Sequence, residues 1–152
     1  MITLKNLINH LKIQLLEVDF PPEIIAVYIY GSAVKGKMRT DSDLDIGILP
    51  VISLKNMDKL ILISKIEGIF TSILRKYNLD IEVSVLEMRG RYVPLTLLYK
   101  VVVDGVLIYE RDSNQRAEFD NVVKREYFDF KTFPVEIKGV IDGHLLKKTI
   151  SD

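Results

Sequence analysis

Apolar positions recur through residues 2–18 at Leu4, Leu7, Ile8, Leu11, Leu15 and Val18, a spacing that draws one stripe along a helix. Pro21-Pro22 ends that helix. The next run, Ile24-Ile25-Ala26-Val27-Tyr28-Ile29-Tyr30, is short and β-rich, which predicts a buried strand stopped by Gly31-Ser32. From Asp43 to Leu49 the pattern becomes an alternation. Leu44, Ile46 and Ile48 share one face, and Asp43, Asp45 and Gly47 share the other.

Ser53 is placed to cap a second long helix from about Leu54 to Tyr77, with a stripe of Leu60, Ile63, Ile66, Phe70, Ile73 and Tyr77. Arg75 and Lys76 fall in its last turn, where cations suit the helix dipole. Asp80 to Leu86 alternates again, setting Leu79, Ile81, Val83 and Val85 against Asp80, Glu82 and Ser84. Pro94 suits the first turn of a helix running to about Val103. Asp104-Gly105 turns the chain into a short strand, Val106 to Tyr109. Asp112 and Gln115 have capping-box spacing ahead of a helix whose packing face is Phe119, Val122, Val123, Tyr127 and Phe130. Pro134, Gly139 and Gly143 weaken any helix beyond it, so the tail reads as a short docked helix or a partly mobile end.

Composition narrows the classes. The chain has 152 residues, 48% apolar and 28% charged, with 21 basic and 21 acidic side chains and no Cys. That is ordinary globular usage and suits one domain over residues 1–152, with a core of about 20–132 and a tail of 133–152. Disulfides and thiolate metal sites are excluded. A net charge of zero argues against binding to long nucleic acid. The N-terminus lacks the pattern of a signal peptide, and no run is apolar enough to span a bilayer. The expectation is a soluble, cytoplasmic protein with no membrane partner.

The stretch that carries chemistry runs from Gly31 to Asp45. Two residues apart on a predicted strand, Asp43 and Asp45 leave the same face. Two such carboxylates repel, and a divalent cation removes the penalty. Hard oxygen ligands suit Mg²⁺, which takes one or two carboxylates plus substrate phosphates. Gly31 lets a phosphate approach the backbone, Ser32 adds a hydroxyl donor, and a helix starting behind them would offer free N–H groups. Lys35 and Arg39, with Lys37, add positive charge, and Ser42 completes the candidate phosphate contacts. Phosphates on the turn and metal on the strand make a phosphoryl or nucleotidyl transfer site. A third carboxylate would deprotonate an attacking hydroxyl and help hold a second metal. Asp80 is the first candidate and Glu82 the second.

Two other motifs fail. Gly31-x4-Gly36-Lys37 imitates a P-loop until Met38, where a Ser or Thr must place a hydroxyl on Mg²⁺. Asp41-Ser42-Asp43-Leu44-Asp45 opens like an EF-hand, but Ile46 and Ile52 stand where that loop needs Gly and Glu. His10 and His144 stand alone and read as surface residues.

Gly31-Ser32, ten residues, then Asp43-x-Asp45 resembles the signature of the polymerase-β-like nucleotidyltransferase superfamily. The segments from Leu79-Asp80-Ile81 through Asp104-Gly105-Val106 to Arg125-Glu126-Tyr127 resemble, within it, the minimal nucleotidyltransferases known as MntA-type antitoxins. The resemblance spans roughly residues 20–132. It implies an α/β (α+β) nucleotidyltransferase fold, a small mixed β-sheet flanked by helices. It also implies ATP as substrate and Mg²⁺, in a two-metal site, held by Asp43, Asp45 and Asp80. The implied partner is a HEPN-domain toxin, and the implied reaction is transfer of AMP from ATP to a toxin Tyr. Related chains often carry Ala-Arg where this one has Val34-Lys35, which keeps a cation and loses a bidentate phosphate contact. Two alternatives stand beside this reading. One is a non-catalytic antitoxin that covers the toxin's active site. The other is a small-molecule, aminoglycoside-type nucleotidyltransferase, for which a homodimer would have to build the acceptor pocket that about twenty residues after Phe130 cannot.

Overall fold

The computed structural model describes residues 4–34 and 43–132. Its elements in order are α1 (Leu4–Glu17), β1 (Ile24–Tyr30), one 3-10 turn (Gly31–Ala33), β2 (Leu44–Pro50), α2 (Asn56–Lys76), β3 (Val83–Glu87), α3 (Leu95–Asp104), β4 (Val106–Glu110) and α4 (Ser113–Thr132). The four strands form one mixed sheet in the order β3-β2-β1-β4. β1 is antiparallel to both its neighbours, whereas β2 and β3 are parallel and joined by the α2 crossover. Such a connection needs a helix's length of chain, and residues 51–82 supply it.

Each face of the sheet has its own core. Ile24, Val27, Ile29, Leu44, Ile46, Ile48 and Ile108 pack with Leu7, Leu11 and Leu15 of α1 and with Leu62, Ile66, Phe70 and Ile73 of α2. On the other face, Ile25, Tyr28 and Leu49 pack with Leu95, Leu98 and Val101 of α3 and with Phe119 and Val123 of α4. β1 lies between the two layers, which is why its run is continuously apolar and buried up to Ile29. Gly47 lets α3 settle closely on β2, since a Cβ there would lie 3.2 Å from Met88 Sδ and 3.3 Å from a Val101 methyl. α4 is fastened to β1 by a buried bond in which the Tyr28 hydroxyl donates to Asp120 at 2.6 Å. Arg116 clamps that carboxylate at 3.0 Å and reaches Glu110 of β4 at 2.8 Å.

Several boundaries differ from the sequence expectation. α2 begins at Asn56 behind an extended Lys55, and Ser53 is not its cap; the Ser53 hydroxyl donates to the Arg89 carbonyl instead. Leu60 is 59% exposed, and the buried line is Leu62, Ile66, Phe70, Ile73 and Leu74. Residues 57–63 are apolar on almost every side, so the periodicity fits two stripes, and the deeply seated Ile66 and Phe70 set the phase. β3 starts at Val83 rather than at Asp80. α2 ends in a Schellman-type closure, with Asn78 at a left-handed φ of 57° and the Leu79 N–H donating to the Leu74 carbonyl. Residues 79–82 are used in climbing back to the sheet. The expected Asp112 cap is present: its carboxylate accepts from the Gln115 backbone N–H at 3.0 Å and from the Gln115 side chain at 2.9 Å. Among the described residues no helix is long and apolar enough to cross a membrane. The expectation for the tail lies outside the described residues.

Candidate active site

The site forms where β1 stops and β2 starts. Antiparallel pairing brings Tyr30, the last residue of β1, opposite Asp45. The chain must then turn off the sheet at once. Gly31 does this with φ at 77°, a conformation that costs any residue with a Cβ, and Gly31-Ser32-Ala33 makes one 3-10 turn. Ala33 is buried in the core and pins the turn. A Cβ on Gly31 would also run into the Asp45 carboxylate, whose Cγ lies 3.2 Å from that position. Glycine is therefore required twice, for its dihedral and for the space the carboxylate occupies. The described part of the turn runs to Val34, and the expectation of a helix continuing behind it lies outside the described residues.

Asp43, Asp45 and Gly47 point to the face covered by α3 and α4, as the alternation predicts, because Leu44, Ile46 and Ile48 pack in the opposite core. The cover from α3 reaches Gly47, with Met88 and Val101 lying against it. Asp43 is exposed and Asp45 is half-buried. Burial raises the Asp45 carboxyl above the ordinary carboxylate range, and the charge of Asp43 raises it further. Tyr30 forms a wall of the site. Its phenol is also pushed up, first by burial and then by the charge of Asp45. Sequence reading did not single out Tyr30; counting back along the β1–β2 hairpin is the signal that finds it.

The parallel register between β2 and β3 sets Val83 beside Leu44 and Ser84 beside Asp45. One step back, Glu82 falls beside Asp43, and the Leu44 N–H donates to the Glu82 carbonyl at 2.8 Å. Glu82 is exposed. Asp80 is exposed as well and lies two residues further back, ahead of β3, outside any pairing. Among the described residues no group of three His, Cys, Asp or Glu side chains converges closely enough to hold a metal by itself. Asp43 and Asp45 form a pair, and neither Asp80 nor Glu82 completes a cluster of three with them. Lys35, Arg39 and Ser42 lie outside the described residues. His10 packs against Tyr77 with ring centroids 4.6 Å apart and ring planes tilted by 31°, which accounts for it as a packing residue.

The donor set suits magnesium. Two carboxylates leave one face, burial disfavours the charge of the half-buried one, and neither forms a salt bridge with another described residue. A hard dication bound by one or two carboxylates, with phosphate and water completing its shell, removes that cost.

The family model "Polymerase beta, Nucleotidyltransferase" matches residues 12–114, which contain every described residue of this site. Solved structures share the fold. One, a crystal structure of a toxin–antitoxin with AMP-PNP, matches with a TM-score of 0.61 at 24% identity, covering 88% of this chain and 95% of that one. Another is the tri-AMPylated Shewanella oneidensis HEPN toxin in complex with MNT antitoxin, with a TM-score of 0.56, 18% identity and coverage of 88% and 95%. The toxin–antitoxin MntA–HepT matches with a TM-score of 0.55 at 21% identity over 89% and 95% of the two chains. The comparison with curated proteins gave no match.

Proposed function

The chain belongs to the polymerase beta nucleotidyltransferase family, and from that premise we propose that it is the antitoxin of a HEPN toxin and transfers AMP from ATP to a tyrosine hydroxyl of that toxin. The observation that carries the proposal is that the Asp45 carboxylate occupies the space a Cβ on Gly31 would take. It sets a bare backbone turn against an acidic pair, so phosphate and metal ligands share one small space. The partner and the acceptor are argued from structural neighbours, among them a tri-AMPylated HEPN toxin bound to an MNT antitoxin and a toxin–antitoxin with AMP-PNP.

Asp43 and Asp45 would hold magnesium, and Ser32 would donate to a phosphate oxygen at the Gly31 turn. Lys35, Arg39 and Ser42 are assigned to the phosphates as well. When bound, magnesium neutralises phosphate charge and draws electron density from the α-phosphorus. A third carboxylate accepts the proton of the attacking hydroxyl. The new bond joins tyrosine oxygen to the α-phosphorus, and the bond to pyrophosphate breaks. The β2–β3 register favours Glu82 over Asp80 for that carboxylate, because Glu82 neighbours Asp43. The chain contributes positioning and charge complementarity rather than covalent chemistry.

The test is intact-mass spectrometry of a HEPN toxin encoded beside this protein, after incubation with it, ATP and Mg²⁺, with Asp43→Asn run in parallel. Mass steps of one or more AMP units that vanish in the variant support the reading. A stable complex without any adduct replaces it with inhibition by binding. Neither adduct nor complex returns the small-molecule enzyme. Within an active protein, Glu82→Gln is expected to lower transfer at least about a hundredfold, and Asp80→Asn far less. The reverse ranking moves the third carboxylate to Asp80.

A further inference from the structure

α2 turns Leu62, Ile66, Phe70, Ile73 and Leu74 inward. On the opposite side its outermost line runs Met57, Ile61, Ser64 and Gly68, flanked by Leu60, Thr71 and Ser72. No charged residue falls on that line before Arg75. Surface helices normally carry charge there. This one is apolar for its first turns and small thereafter. Met57, Leu60 and Ile61 are 65%, 59% and 60% exposed, and Val51 and Ile52, just ahead of the helix, are exposed too. Apolar exposure concentrated in this way marks an interaction surface.

Gly68 is a separate observation. A glycine inside a helix costs roughly 0.5–1 kcal/mol relative to alanine. A Cβ at Gly68 would meet nothing within 4 Å among the described residues, so no packing within them calls for the glycine. It makes a flat place on the exposed face, where another helix can come close.

The two halves of this face complement each other, and we infer that α2 packs antiparallel against α2 of a second copy of this chain, about a two-fold axis between Ile61 and Ser64. In that register Met57 of each copy covers Gly68 of the other, and Ile61 covers Ser64. Asp58 and Lys65 lie on one flank of the helix, both exposed, and the same register brings each Asp58 beside the other copy's Lys65. Bulk meets flat surface and acid meets base, each twice, which is the self-complementarity that a two-fold interface demands. An unrelated partner would not require the halves of one helix to match. α2 covers the face of the sheet opposite to Asp43 and Asp45, so pairing leaves both sites open. The inference does not rest on the proposed transfer reaction.

Sedimentation of the purified full chain over roughly a hundredfold range of concentration tests it. A concentration-dependent dimer is expected. Gly68→Leu should weaken it at least about tenfold while helix content by circular dichroism holds or rises, since leucine is the better helix former. Asp58→Lys should weaken it as well, and adding Lys65→Asp should restore it. A monomer at every concentration overturns the inference, whatever other protein uses the face. So does a dimer indifferent to Gly68→Leu, or a double charge swap that fails to restore association.

Discussion

At the scale of single residues, the site is built on an unfavourable arrangement that its ligands are suited to relieve. Gly31 tolerates a left-handed backbone and an adjacent carboxylate, and alanine tolerates neither. Gly31→Ala should cost about 1–2 kcal/mol for the dihedral alone, with a further loss from the collision. Thermal unfolding reads the first effect, and abolished transfer reads the second. Asp45 behaves in the opposite sense. Its carboxyl lies above the ordinary range because burial, and then Asp43, disfavour the charge. A group raised in this way contributes its stability below the unfolded value, and that contribution is lost as pH rises through the folded value. Asp45→Asn should therefore melt higher than the parent protein in the absence of metal. The gap should open as pH climbs just above the ordinary carboxylate range, and Mg²⁺ with ATP should narrow it by stabilising only the parent. A variant that melts lower at neutral pH would show that Asp45 is held by favourable contacts instead.

At the scale of elements, the position of the turn depends on β1, and β1 is held from both faces. Tyr28 lies two residues before Tyr30, and its buried hydroxyl spans to Asp120 of α4. Burial, and then the hydrogen bond to Asp120, raise its phenol well above the ordinary value, so it stays a donor throughout the stable range. Tyr28→Phe removes a hydrogen bond to a charged group and should cost about 1.5–3 kcal/mol in denaturant unfolding. An unchanged midpoint would mean that Arg116 alone satisfies Asp120. Elements are also where reading the sequence succeeded unevenly. The alternation in Asp43–Leu49 placed its acids on the correct face, and Asp112 with Gln115 marked the start of α4, because both signals are local. The stripe of α2 was read correctly at Ile66, Phe70 and Ile73 but not in its first turns, where Met57, Leu60, Ile61, Leu62 and Ile63 supply apolar side chains in every direction and only the packed sheet selects Leu62 over Leu60. The start of β3 was missed because residues 79–82 alternate like a strand while serving as the way back from α2.

At the scale of the whole molecule, the sheet order β3-β2-β1-β4 sets an acid-bearing strand in the middle of the fold, between the turn on β1 and the carboxylates leading into β3. The family was legible from Gly31-Ser32 and Asp43-x-Asp45, but which acid neighbours Asp43 depends on a register between strands that no single-chain pattern reveals. A ligand that binds only this assembled arrangement stabilises the fold by mass action, by about 2.7 kcal/mol at a hundredfold excess over Kd. ATP with Mg²⁺ should thus raise the melting temperature of the intact chain, and Asp43→Asn should abolish the rise. The hairpin has one further consequence, in time rather than in space. Tyr30 meets Asp45 across fifteen positions of chain, whereas Val27 must find Tyr109 across more than eighty. Closing a short loop costs less chain entropy than closing a long one, so contacts near in sequence can assemble before distant ones reward the search. During synthesis, the glycine turn and its acids emerge together, well before β4 and α4. The reactive corner is thus the early part of this protein, and the strand that locks it in place is the late one.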